Sequence, residues 1–247
     1  MGRNRERARK EAKHQVEVRV ATYNVRRCIG RDGRQDAGRC FRVIEELNAS
    51  VVGLQEVDGN LTAGAGQELL GLAKEAGYAV HHGITLQRRD ADYGNALLIR
   101  GRILHVDLHD ISVPGTEPRG VIDASLLAGD LPIRVLVTHF GLRFGERRIQ
   151  ARRLGSLVSA DDGGVTVVLG DFNDWRPMAA SLRPLRDVLG PAPAPRSYPA
   201  HRALLRLDRV WVRPRERLLR VEAHRTTAAR LASDHLPVLA QIALGRA

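Results

Sequence analysis

The 247-residue chain predicts a layered α/β fold, with two mixed β-sheets packed together and helices outside. Helical and strand-like stretches interleave in both halves, the pattern of a layered α/β architecture. Runs of consecutive strands fill the middle, which argues against a purely parallel sheet. The apolar content of 43% suits one sizeable core, and no window approaches the roughly 18 apolar residues of a membrane span.

Residues 1–15, "MGRNRERARKEAKHQ", lack apolar periodicity and predict a basic, disordered N-terminal tail before a single domain over 16–247. From Val16 the stretch "VEVRVATYNV" alternates apolar and polar residues, a strand that ends at Asn24. A loop with Gly30, Asp32 and Gly33 precedes a helix near 38–48, carried by Phe41, Val43, Ile44 and Leu47. "SVVGLQEVD" reads as a buried strand ending at Glu56. A second helix near 66–76 and a short strand near 78–84 follow. "YGNALLIR", "RILHVDLHDISV", "GVIDASLLAG" and "LPIRVLVTHF" are strands separated by turns such as Gly101-Arg102 and Gly129-Asp130. A helix near 145–160 leads into the strand "VTVVLGDFNDW". The proline-rich segment 184–200, with "GPAPAPRSYP", predicts loop throughout. "LRLDRVWV", "LLRVEAHRT" and "SDHLPVLAQIAL" close the chain as three more strands.

The formal charge is +11, from 39 Lys and Arg against 28 Asp and Glu. Lysine occurs only at Lys10, Lys13 and Lys74, so arginine supplies the rest of these cations. Arginine forks phosphates well, and such a balance points to nucleic acid, DNA or RNA, or to anionic phospholipid as a partner. An ordinary surface on which Arg has replaced Lys would look the same. The basic start is followed by no apolar run of the kind a secretory leader carries. Cys28 and Cys40 are the only cysteines, and nothing in their setting demands a pair. A reduced, cytoplasmic monomer is the expectation.

Polar residues recur at the edges of apolar strands: Asn24, Glu56, His139, Asp171 with Asn173, Asp208, and Asp234-His235, which opens the last strand. One such residue is an ordinary turn, but the set has a common chemistry. Carboxylates with amide oxygens make a hard, oxygen-rich site for Mg²⁺ or Mn²⁺. Histidines beside carboxylates supply proton transfer and hydrogen bonds to a phosphate. There is no Cys/His cluster for structural zinc, no Walker loop and no G-x-G-x-x-G stretch. Asp58 and Asp174 read as turn residues, and Trp175 and Trp211 as packing.

The ordered series "TYNV", "LQEVD", "GNALLIR", "EPRG", "THFGL", "LGDFND", "LDRVWV" and "SDHLPV" resembles the motifs of the endonuclease/exonuclease/phosphatase superfamily, from about residue 18 to 243. The resemblance implies a four-layer α/β sandwich with its site at one mouth of the two sheets. It also implies that Asn24 and Glu56 bind the metal, with Asp234 nearby. Asp171 would position or deprotonate the attacking water, and Asn173 would hold that water and the phosphate. His235 matches the catalytic histidine and Asp208 its carboxylate partner. His139 resembles the second histidine of the deoxyribonuclease I and sphingomyelinase branches, a donor to a phosphate oxygen. Arg119 of "EPRG" is a phosphate-binding candidate with a structural salt bridge as the alternative. Abasic-site endonucleases carry a Tyr-and-Asn motif where this chain has "THFGL", which sets it apart from them.

The expected activity is therefore metal-dependent phosphoester hydrolysis, foremost of a phosphodiester. The basic charge puts nuclease action first, a phospholipid or sphingomyelinase-like phosphodiesterase second, and a small phosphoester phosphatase beside it. A catalytically inactive nucleic-acid or membrane-binding relative is the contrasting class; intact "GDFN" and "SDH" side chains argue against it.

Overall fold

The computed structural model describes residues 15–59, 64–88, 91–128, 131–159 and 164–245. The expected tail, apart from Gln15, and the Gly129-Asp130 turn lie outside these residues. Along the chain run β1 (Gln15–Asn24), α1 (Ala37–Leu47), β2 (Val51–Gly59), α2 (Ala65–Glu75), β3 (Ala79–Arg88), β4 (Ala91–Ile99), β5 (Arg102–Asp110) and β6 (Gly120–Ala128). They are followed by β7 (Leu131–His139), α3 (Phe144–Ser159), β8 (Val165–Asp171), α4 (Arg183–Leu189), β9 (Asp208–Arg213), β10 (Leu218–Ala223), α5 (Thr227–Ala232) and β11 (Val238–Gly245).

The strands form a six-stranded sheet, ordered β10-β11-β1-β2-β4-β3, and a five-stranded sheet, ordered β5-β6-β7-β8-β9. Each is mixed. β1 and β2 are parallel, as are β7 and β8, and the other neighbours are antiparallel. The parallel pairs are those joined through α1 and α3, because a parallel neighbour needs a crossover.

Period-two alternation decides what each face buries. Val18 and Val20 of β1 point between the sheets, where they join Val135 and Val137 of β7 and Val167 and Leu169 of β8. The intervening Ala21 and Tyr23 turn outward to a second core with Cys40, Val43, Ile44 and Leu47 of α1 and Leu69, Leu70 and Ala73 of α2. On the far side Leu136 and Val168 meet Leu154 and Val158 of α3. The result is helix, sheet, sheet, helix: the four layers expected. Both cysteines are buried free thiols.

Several local readings need correction. Arg183–Leu189 is a helix within the segment expected to be loop. Pro184 sits in its first turn, where a missing N–H costs nothing, and Leu185 and Leu189 are buried. α5 was not expected; Thr226 caps it by accepting from Ala229 N at 3.1 Å. β2 continues past Glu56 through a β-bulge, so Asp58 lies in a strand rather than a turn. β11 begins at Val238, and Asp234-His235 belong to the loop before it. Trp211 is packed as expected, but Trp175 is exposed.

The sheets approach closely at Gly53. A Cβ there would lie 2.2 Å from Leu169 Cδ1 and 2.8 Å from Val137 Cγ1. Gly53→Val should therefore overpack the inter-sheet core and cost about 1–3 kcal/mol, read as a lowered guanidinium midpoint at unchanged slope.

Candidate active site

Strand register builds the site. His139 pairs with Asp171 across β7 and β8, and Asp171 with Asp208 across β8 and β9, so three chemically active residues form one row. In the other sheet Asn24 ends β1 opposite Gln55 of β2. Simple alternation would send Gln55 and Glu56 to opposite faces. The bulge between Leu54 and Val57 re-aims the chain instead, with Glu56 at φ 56°. Asn173 is also in the left-handed region, at φ 50°. Strained backbone of this kind costs on the order of 1–3 kcal/mol and persists where the surroundings impose it.

One carboxylate oxygen is the focus. Asp171 Oδ2 accepts from Asn24 Nδ2 at 3.1 Å and lies 3.7 Å from Nε2 of both His139 and His235. Asn24 Nδ2 also donates to Glu56 Oε1 at 3.0 Å. Asp171 Oδ1 accepts from Asn173 N at 2.9 Å. The Asn173 amide donates to Phe140 O at 2.8 Å and meets His139 Nε2 at 3.1 Å. With both N–H groups so used, its Oδ1 remains as an acceptor.

His235 is held from behind: its Nδ1 meets Asp208 Oδ2 at 2.9 Å. Burial opposes a charged ring here, but the Asp208 and Asp171 carboxylates outweigh it and push the pKa up to about 10. His139 goes the other way. Burial and the Arg119 cation, against the pull of Asp171, take it down to about 3. The site thus pairs an imidazolium with a neutral imidazole, and the neutral ring can accept the Asn173 amide proton at Nε2.

Asp234 joins this group at its edge. Its Oδ2 is 3.5 Å from Arg26 Nε, and its Oδ1 lies 3.4 Å from Ser233 Oγ. Arg119 forms the salt bridge given as its alternative, with Nη1 2.8 Å from Glu117 Oε1. It is buried nonetheless, its Nε has no hydrogen-bond partner, and its charge reaches His139. It also lines a pocket of about 190 Å³ with Asn95, His109 and Ser112.

Three contributors escaped sequence reasoning. Ser233 Oγ donates to Asn24 O at 2.7 Å and accepts from His235 N at 3.2 Å, tying the loop before β11 to β1. Its place beside Asp234-His235 was the available signal. Tyr198 sets its ring 4.9 Å from that of His235, from a proline-rich loop with no motif to mark it. Asp174 turns the chain as expected, accepting from Arg176 N at 3.2 Å, but it is also buried, and its carboxylate accepts from Ser181 Oγ at 2.6 Å and faces Arg147 Nη2 at 3.5 Å.

Ligand atoms of Asp171, Asp208 and His235 lie within 4.8 Å of one another. This is not the metal set expected from sequence. The Asp208–His235 contact is a hydrogen bond that orients a ring, so the trio is better explained as a proton-transfer pair beside a carboxylate. On the Asn24–Glu56 side the Glu56 carboxylate suits a hard divalent cation; Asn24 Oδ1 accepts from Arg26 N at 3.0 Å and its Nδ2 faces Glu56, so the amide must rotate to present its oxygen there.

The model of the endonuclease/exonuclease/phosphatase family matches residues 21–235. The chain belongs to this family. Members generally depend on a divalent metal. Uncharacterized protein YbhP of Escherichia coli strain K12 is 35% identical over a 170-residue alignment that covers 63% of this chain. The match spans 64% of that relative's length. An endonuclease/exonuclease/phosphatase structure from Beutenbergia cavernae superposes with a TM-score of 0.76 at 20% identity, covering 93% of this chain and 72% of the other. The Bacteroides thetaiotaomicron mannosyl-6-phosphatase gives 0.70 at 15% identity, covering 90% and 98%. At such identities these structures show a shared fold.

Two measurements follow. Asp174→Ala leaves the buried Arg147 unpaired and should cost about 3–5 kcal/mol by denaturant unfolding. For His235, whose pKa is raised in the folded state, the stabilisation is complete below its ordinary value of 6.5 and is lost as pH rises through about 10. Its ring signals in NMR should titrate near that upper value, and Asp208→Asn should move the midpoint down.

Proposed function

We propose that this chain is a phosphodiester hydrolase working with Mg²⁺ or Mn²⁺ held by Asn24, Glu56 and Asp234. The observation that carries the reading is the convergence of Asn24, His139 and His235 on the single oxygen Asp171 Oδ2. A cation bound on that side would supply Lewis-acid stabilisation of charge on a phosphate oxygen.

The chain's own residues divide the remaining work. Asp171 accepts or orients the proton of the attacking water, and Asn173 Oδ1 accepts a hydrogen bond from the same water. His235, already protonated, is set to give a proton or a charged hydrogen bond from Nε2 rather than to take one. Asp208 keeps that nitrogen forward by holding Nδ1. Through Nε2, His139 orients the Asn173 amide in the resting site; a phosphate contact of its own requires the other tautomer. Arg119 adds positive potential behind His139, which favours an anionic substrate.

Nucleic acid was the first expectation for the substrate, and it rests on net charge alone. An anionic phospholipid satisfies that charge equally. A protein that shares this fold is named a mannosyl-6-phosphatase, so a sugar phosphate belongs in any screen.

Hydrolysis of bis-p-nitrophenyl phosphate with Mg²⁺ or Mn²⁺, abolished by EDTA, is the expected result; full activity in chelated buffer would overturn it. His235→Ala should lower kcat by about 10²–10³ or more, and Asp208→Ala by less. The double variant should be no worse than His235→Ala, since a ring and its orienting carboxylate act as a unit. Multiplicative losses in folded variants would separate the pair.

A further inference from the structure

The loops that continue β7 and β8 beyond the catalytic row carry an unusual surface. Leu142 is 73% exposed, Phe144 43%, Trp175 53% and Met178 69%. Leu142 follows His139 by three positions, and Trp175 follows Asn173 by two. The two loops are joined: buried Arg147 donates to Leu142 O and also faces Asp174 Oδ2 at 3.5 Å. Gln150 Oε1 accepts from Gly141 N at 2.9 Å, and Glu146 Oε2 from Arg143 N at 3.3 Å. These bonds hold the apolar side chains outward on a fixed frame.

The charges around them have one sign. Within 140–153 and 172–183 the two acids, Glu146 and Asp174, are buried, and every exposed charge is an arginine, including Arg143, Arg148 and Arg176. The Arg176 guanidinium lies 5.9 Å from the centre of the Trp175 ring.

We propose that these two loops are a docking surface for an anionic phospholipid bilayer, which sets the catalytic mouth at the membrane. The apolar side chains enter below the headgroups, while the arginines meet lipid phosphates. Single-stranded nucleic acid fits less well. It would use the ring faces of Phe144 and Trp175 together with the cations, but the two most exposed side chains, Leu142 and Met178, have no ring to stack. A bilayer uses all four. Docking stands on this surface alone; a lipid diester as substrate rests on the hydrolase reading above.

The test is sedimentation of the full chain with phosphatidylcholine vesicles, with and without phosphatidylglycerol. Binding is expected with phosphatidylglycerol and should weaken with salt. Trp175 should shift its emission to the blue and be quenched by brominated lipid, whereas Trp211 is buried. Leu142→Ser with Met178→Ser should reduce vesicle affinity by about tenfold or more, while turnover of bis-p-nitrophenyl phosphate stays unchanged. Arg143→Glu with Arg148→Glu should remove the preference for phosphatidylglycerol. Absence of vesicle binding, or binding unaffected by these four substitutions, overturns the proposal. Oligo-dT binding that Phe144→Ser with Trp175→Ser abolishes, without vesicle binding, does so in favour of a nucleic-acid surface. A chain that cleaves the soluble diester but ignores vesicles loses docking only; one that docks but cleaves no diester loses the hydrolase reading only.

Discussion

The hydrogen bond from Asn24 Nδ2 to Asp171 Oδ2 joins the ends of two strands in different sheets. Neither sheet holds the whole site. Asn24 and Glu56 come from one, and His139, Asp171 and Asp208 from the other. Their meeting therefore depends on how the sheets stack, and stacking is set by the apolar faces of β1, β2, β7 and β8. The close approach at Gly53, where even a methyl group would collide, helps fix that spacing. Core packing and catalytic geometry are one constraint here, because interiors packed at crystal density do not slide freely.

Within that frame, burial disfavours the charged form of both histidines beside the same carboxylate oxygen, and their neighbours drive them apart. His235 has a second carboxylate behind it and stays charged. His139 has a buried guanidinium nearby and stays neutral. Low local dielectric strengthens both effects. Pairs of groups whose surroundings drive their pKa values apart divide acid and base roles. In the proposed mechanism the division falls between an imidazolium that would give a proton and a carboxylate that would receive one.

Arginine does two jobs in the molecule, distinguished by burial. Arg147 and Arg209 are buried and satisfy carbonyls or carboxylates that turn the chain after β8. Arg143, Arg148 and Arg176 stand in solvent beside the mouth. Net charge cannot tell these populations apart. The second population is the one an anionic surface can touch directly, so composition hides where the cationic surface is concentrated.

Much of the fold was legible in the sequence. Alternation marked the strands, helical spacing marked α1 and α3, and the order of polar strand ends identified the residues that the site assembles. These signals are local, since side-chain periodicity follows from backbone geometry. The burial of Asp174, the bulge that aims Glu56, the role of Ser233 and the helix at Arg183–Leu189 were not legible. Each depends on partners far away in sequence, as Asp174 depends on Arg147 and Ser181, and Ser233 on Asn24. Exposure of Trp175 was missed for the same reason: a tryptophan after a strand reads as packing until the loops around it are known. The sequence by itself determined the elements, their apolar faces and the chemical groups at the strand ends. Tertiary structure decided register between sheets, the protonation of each histidine and which arginines face solvent, because those depend on distances and burial that no local pattern encodes.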